Sequence, residues 1–217
     1  MDSRKVKRIS HFFLLGIILV LALVILWAAH HGSEVSRPHR TEISVQWNDP
    51  TAKNNTDLVK YAQNALDSGW GYVYGTYGQV LKPELLNSCA EKYPSQIEPF
   101  LAFTKSNWMN GRVTDCAGLI KGYGWLDPRT EEISYLTNGM PDLSANGMEQ
   151  AATEKGKISS IPEIAGLAVW MDGHIGVYIG NGSVIEASSA KKGVVKTKLQ
   201  GRGWLEWMKI PSIRYDT

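Results

Sequence analysis

The sequence predicts an α+β domain behind one transmembrane helix, and three observations carry that expectation. An apolar run near the start gives way to a polar stretch. The middle of the chain then holds apolar positions at helical spacing with capping residues, and the last part consists of short β-prone runs split by Asp172/Gly173, Asn181/Gly182 and Gly193. At 217 residues, 43% hydrophobic and 20% charged, the chain is long enough for one ordinary core or two small ones and does not have the composition of a disordered segment.

Residues 1–11 form a basic tail with Arg4, Lys5, Lys7 and Arg8. Residues 12–29 (FFLLGIILVLALVILWAA) are uncharged throughout and as a helix would span roughly 27 Å, enough to cross a bilayer. The run is longer than the apolar core of a cleaved signal peptide and ends in Trp27 and His30/His31 rather than a small-x-small site, so a retained signal anchor is expected. The charge bias puts the N-terminus in the cytoplasm and the rest outside, a single-pass protein of the cell membrane. Residues 30–56 read as an extracytoplasmic linker with one short strand at Glu42 to Trp47. Some 27 flexible residues reach about 30 Å on average, so the body at 57–217 would work close to the membrane.

Within the body, Asn55, Thr56 or Asp57 can cap a helix carrying Leu58, Tyr61, Ala62, Ala65 and Leu66, with Gly69 after it. The aromatic, Gly-rich segment from Gly69 to Gly78 suits a surface where backbone or ligand comes close. Residues 79–113, with Pro83, Pro94 and Pro99, read as an insertion holding two helical pieces near Glu84 to Lys92 and Gln96 to Ser106. A second helix starts at Thr114/Asp115 and ends at Gly122 or Gly124, and a third is capped by Asn146 and stops near Gly156. Leu167 to Met171, His174 to Ile179, Ser183 to Ala187 and Val194 to Lys198 then form an antiparallel meander, closed by a strand near Ile213 to Tyr215.

Few residues could do chemistry. Beyond residue 40 the chain has 17 Lys/Arg against 19 Asp/Glu, so it lacks the basic footprint of a nucleic-acid binder. That stretch contains one histidine, His174, and two cysteines, Cys89 and Cys116, too few for a closed His/Cys zinc site; no metal, phosphate loop or dinucleotide fingerprint is expected. Cys116 lies in the first turn of the second helix, where the helix dipole favours thiolate. His174 heads a strand from which it could reach that helix and serve as proton donor.

The motifs around these two residues resemble those of a known family. Asp115, Cys116, Ala117 and Gly118 look like the D-C-S-G motif of the NlpC family of bacterial cell-wall cysteine peptidases, with Ala117 in place of serine. HIGVYIGNG from His174 is similar to that family's H-[VI]-G-[IV]-Y-x-G-x-G stretch, and Tyr72 to Gly75 resembles its Y-x-[WY]-G run. The resemblance implies a papain-like fold, peptidoglycan stem peptides as substrate, Cys116 as nucleophile and His174 as general base and then acid, with no cofactor. Twelve positions after His174, where the family places a polar residue, stands Glu186, which can orient the imidazole as Asp does in serine triads. Glutamate there resembles the related CHAP amidases, so a CHAP-like amidase or acyltransferase, or a non-catalytic wall-binding domain, stands as the alternative. Tyr72 resembles the family tyrosine beside the nucleophile and, with Asp115, is assigned to the oxyanion and substrate side. Its 44-residue separation from Cys116 also leaves Tyr74 and Tyr77 open. Cys89, in the insertion, is expected to be free or transiently paired, and Trp125, Trp170, Trp204 and Trp207 to be core.

Strand geometry tests the third residue independently. A two-residue Asn181/Gly182 turn would pair Gly180 with Ser183 and put Glu186 on the face away from His174. A three-residue loop, Gly180 to Gly182 with Gly182 left-handed, puts Glu186 opposite Gly176 and on the face of His174.

Overall fold

The computed structural model describes residues 41–216, so the expected basic tail and transmembrane segment lie outside the described residues. No helix within 41–216 is long and apolar enough to cross a membrane.

Helix α1 (Asn55–Asp67) is capped by Asn54, one residue before the expected positions, whose side chain accepts from the Asp57 amide. The buried Asp57 carboxylate in turn accepts the amides of Asn48 and Asp49 at 2.7 and 2.9 Å and the Asn54 side chain at 2.9 Å. These bonds draw the preceding segment onto the helix, and Ile43 is fully buried in the main core. Residues 42–49 are therefore packed coil; the strand expected at Glu42 to Trp47 does not form because the backbone bonds go to α1 side chains and not to a neighbouring strand.

A small sheet then forms from β1 (Gly71–Tyr72), β2 (Tyr77–Val80) and β3 (Arg112–Thr114), in the order β1-β3-β2. Between β2 and β3 runs the insertion, folded as α2 (Pro83–Lys92), α3 (Pro94–Ile97), a 3-10 turn (Glu98–Phe100) and α4 (Leu101–Asn107). Its apolar residues Leu81, Leu86, Cys89 and Ile97 gather with Val73 and Val113 into a separate cluster. The insertion leaves and rejoins the body at neighbouring strands, so it adds a lobe without parting the chain on either side.

Helix α5 (Cys116–Trp125) is buried along nearly its whole length and packs on α1, β6 and β7. Gly118 and Gly122, one turn apart, present a flat face to the backbone of residues 76–77. A Cβ at Gly118 would stand 1.9 Å from the Thr76 carbonyl oxygen, and one at Gly122 2.2 Å from that of Tyr77. After a loop and α6 (Ala145–Ala151) comes a six-stranded sheet in the order β4-β9-β5-β6-β7-β8, built from β4 (Lys155–Lys157), β5 (Ala168–Met171), β6 (His174–Tyr178), β7 (Ser183–Ser189), β8 (Gly193–Lys198) and β9 (Glu206–Met208). The four expected meander strands are β5 to β8, paired antiparallel in sequence.

Ile213 to Tyr215 is not the closing strand. Pro211 interrupts the chain after β9, the Ile210 amide donates to the Tyr215 hydroxyl at 2.9 Å, and Arg214 makes a single parallel bridge to Asn54 at the mouth of α1. β9 takes the edge beside β5 instead, and the remaining edge of β9 is covered by β4.

Candidate active site

Three elements build the site: the start of α5, the start of β6 and the middle of β7. Asp115 caps α5, its Oδ1 accepting the Gly118 amide at 2.6 Å, while Oδ2 accepts the Gly75 amide at 2.8 Å. One carboxylate thus fixes the first turn of the helix and the aromatic segment beside it. Its burial raises its own proton affinity.

Cys116, the first residue of α5, is 8% exposed. The helix dipole was expected to favour thiolate, but burial, followed by the adjacent Asp115 charge, pushes the thiol up to about 12. Backbone amides of Ile175, Ala117 and Cys116 itself offset this only in part. At neutral pH the resting group is therefore a thiol, and any attack requires its proton to be taken as the bond forms.

His174 opens β6 after the Asp172/Gly173 turn. Asn146, expected to cap α6, instead holds that turn: its Oδ1 accepts the Gly173 amide at 2.7 Å and Trp170 Nε1 at 3.1 Å, and its Nδ2 donates to Asp172 at 2.8 Å. The cap of α6 is Ser144. Val177 pairs with Ile185 and Tyr178 with Val184, and the Ile179 amide donates to the Ser183 carbonyl at 2.9 Å, closing the three-residue Gly180–Asn181–Gly182 loop. Gly182 has φ 63°, as that loop requires. By this register Glu186 falls opposite Gly176 and shares a face with His174. The side chains meet: His174 Nε2 and Glu186 Oε2 are 2.6 Å apart.

Glu186 is fully buried and has three more donors: Thr197 Oγ1 to Oε1 at 2.7 Å, Arg202 Nε to Oε1 at 2.8 Å and an Arg202 Nη to Oε2 at 2.7 Å. Burial alone would raise its proton affinity, but the bonds from His174, Arg202 and Thr197 outweigh it and hold the carboxyl down to about 2. An ionised carboxylate only accepts, so Nε2 carries the ring proton toward it and Nδ1 of the neutral imidazole keeps the free lone pair. Trp204, buried as expected for a core residue, lies stacked on the imidazole with ring centroids 5.5 Å apart and planes at 12°. Gly176 makes room for all of this, since a Cβ there would sit 2.7 Å from Val184, 3.2 Å from the Trp204 ring and 3.3 Å from Glu186.

The sulfur and the imidazole come to β6 from different sides. Cys116 belongs to the core cluster that includes Ile175, whereas Gly176, Val184 and Trp204 lie together on the other face. The Ile175 amide, one residue from His174, is among the groups that lower the proton affinity of the sulfur, and the imidazole takes Glu186.

Tyr72 pairs in register with Thr114, two residues before Cys116, which bridges the long sequence separation. Burial, then the Cys116 and Asp115 charges, push its hydroxyl above the ordinary phenol range, so it stays protonated and can donate. Burial, then the charges of Asp115, Tyr93 and Cys116, raise the Tyr74 hydroxyl, while Tyr77, whose amide donates to Gln79 Oε1 at 2.6 Å, lines the same cleft and stacks edge-on to Trp125 at 4.8 Å. A cleft of about 580 Å3 opens over Cys116 between the insertion and the loop before α6, walled by Tyr74, Tyr93, Tyr135, Lys92 and a Lys121–Asp142 ion pair at 2.5 Å. Cys89 and Cys116 are both free, as expected for Cys89. No group of three or more potential metal ligands occurs among the described residues.

Sequence reasoning missed Thr197, Arg202 and the role of Trp204. Thr197 was within reach of the hairpin argument: Glu186 pairs with Val195, so Thr197 is its diagonal neighbour on the same face. Arg202 arrives from a loop and leaves no periodic signal.

No family model matches the sequence, and no curated protein matches it. Solved structures similar to the chain include NlpC1 from Trichomonas vaginalis, with 16% identity and a TM-score of 0.42 over 76% of this chain and 48% of that one, so the chain spans about half the length of that protein. Others are the NlpC/p60 domain of the peptidoglycan hydrolase SagA (17% identity, TM-score 0.39, 72% of this chain and 99% of that chain) and the peptidoglycan hydrolase RipB from Mycobacterium tuberculosis (20%, 0.40, 75% and 68%).

Proposed function

We propose that the chain is a hydrolase that cleaves an amide bond in cell-wall peptides, with Cys116 as nucleophile, His174 as base and then acid, and Glu186 orienting the imidazole. The observation that supports this most is the 2.6 Å bond from His174 to Glu186 at the start of a strand that packs on α5, the helix that Cys116 begins. Peptidoglycan as substrate rests on the resemblance of the Asp115–Gly118 and His174–Gly182 motifs to the NlpC family.

In the proposed reaction the Cys116 sulfur attacks the amide carbonyl as His174 Nδ1 takes the thiol proton. The C–N bond then breaks, that proton passes to the leaving amine, and a thioester remains on Cys116. Water adds to the thioester while giving a proton to His174, the C–S bond breaks, and the thiol is restored with release of a carboxylic acid. Tyr72 donates to the developing oxyanion. Residues 12–29 hold the domain at the outer side of the membrane.

A non-catalytic wall-binding domain is the second reading, favoured by the buried, protonated Cys116. Alkylation of the full chain by iodoacetamide, with the Cys116 peptide read by mass, separates the two. The hydrolase reading expects labelling to fall at least tenfold in His174→Ala. Equal labelling with and without His174 supports the binding domain.

A further inference from the structure

The loop between β8 and β9 carries Arg202 and Trp204 on either side of Gly203, whose φ of 91° is left-handed backbone. Open space surrounds a Cβ at that glycine, with Met171 sulfur at 3.9 Å, so the conformation and not crowding calls for glycine. With this turn the side chains on both sides reach the site. Arg202 forks onto both oxygens of Glu186, and its guanidinium lies 5.8 Å from the ring centroid of Trp204. Trp204 is the ring stacked on His174. Two routes therefore lead from Arg202 to one imidazole, through a carboxylate and through an indole.

We propose that Arg202 is a positioning residue of the reaction, which fixes the plane of the Glu186 carboxylate and competes with the imidazolium for its charge, leaving His174 free to accept the thiol proton near neutral pH. The inference rests on the amide-cleaving reading. A carboxylate with no other cation would bind the imidazolium and keep the ring protonated; one already paired bidentately with arginine still orients the ring but traps it less. The ring itself meets Glu186 from β7 and Trp204 from the loop, and Arg202 reaches it through both; the other titratable groups on the neighbouring elements are Cys116 and Asp115 at the start of α5 and Asp172 in the preceding turn. Of these, Arg202 is the one cation. It is also planar and always charged, so it combines orientation and charge in a way lysine cannot.

The test is an NMR titration of the histidine rings in the full-length chain, with the His174 signal assigned by its loss in His174→Ala, alongside kcat/KM on a stem-peptide substrate. In Arg202→Met the His174 ring is expected to titrate about one pH unit higher than in the wild type, with kcat/KM at neutral pH down about tenfold. Arg202→Gln carries the same expectation should Arg202→Met fail to fold. Arg202→Lys keeps the charge but not the fork, so its titration should follow the wild type while kcat falls at unchanged KM. A His174 titration unmoved in a folded Arg202→Met or Arg202→Gln chain, or a rate lowered equally at every pH, overturns the proposal. A wild-type chain that releases no peptide fragments overturns instead the amide-cleaving reading, and undiminished cleavage by His174→Ala overturns the role of His174 on which both rest.

Discussion

Four donors converge on the Glu186 carboxylate, and its energetics set what each substitution near it should do. Glu186→Gln still accepts from the imidazole but cannot balance an imidazolium, whereas Glu186→Ala leaves His174, Thr197 and Arg202 without their shared acceptor. Activity should therefore fall from wild type to Glu186→Gln to Glu186→Ala to His174→Ala, each early step about tenfold, or roughly 1.4 kcal/mol in the barrier. The same carboxyl links stability to pH. Because its value falls from 4.5 to about 2 on folding, its contribution is whole above pH 4.5 and is lost as pH drops toward 2. Urea melts should show that acid loss in the wild type and a flatter profile over this window in Glu186→Gln. At the proposed nucleophile, Cys116→Ala should remove cleavage and leave the fold intact, since one small residue replaces another at a helix start. Cys89→Ser should retain most activity but lower stability by about 1 kcal/mol or more, as it puts a hydroxyl into the insertion's apolar cluster.

The elements around Cys116, His174 and Glu186 pack through glycines that admit no side chain. Gly118→Ala is expected to be the most disruptive glycine substitution among the described residues, because the obstacle is the Thr76 backbone and not a flexible side chain. Thermal melts should show either no folded protein or a large fall in Tm. Gly176→Ala meets side chains that can shift, so about 1–3 kcal/mol is expected, with an activity loss greater than the stability loss because Glu186 and Trp204 are what must move. The hairpin was legible in advance. Side-chain alternation admits only an odd-length loop if His174 and Glu186 share a face, and Gly180–Asn181–Gly182 supplies one. α5 was legible from its cap and apolar run. β1, β2 and β3 were not, because strands of two to four residues carry no periodicity and owe their existence to one another. The closing strand was misassigned because Ile213 to Tyr215 has β-prone residues, whereas Pro211 and the Asn54 bridge determine its path.

For the molecule as a whole, the insertion bears directly on the site. Trp108 covers Gly71 and donates its indole N–H to the Ala190 carbonyl at 2.7 Å, pinning the lobe to the turn between β7 and β8. Trp108 is half-buried, so Trp108→Ala should cost up to about 3 kcal/mol and raise KM more than it lowers kcat, because the cleft wall moves while Cys116, His174 and Glu186 stay. The sequence revealed the insertion through its prolines and the unusual Tyr72–Cys116 separation. It could not reveal that the β1–β3 pairing would cancel that separation, nor that burial would override the helix dipole at Cys116, since both depend on contacts distant in the chain. The most direct test of the account is mass analysis of the fragments that the full-length chain releases from purified peptidoglycan, with Cys116→Ala as the paired sample. The account predicts stem peptides cut at one amide, each cut adding one water and exposing one new amine and one new carboxylate, in the wild type alone. Equal release by Cys116→Ala, or products with intact peptides and severed sugar chains, would contradict it.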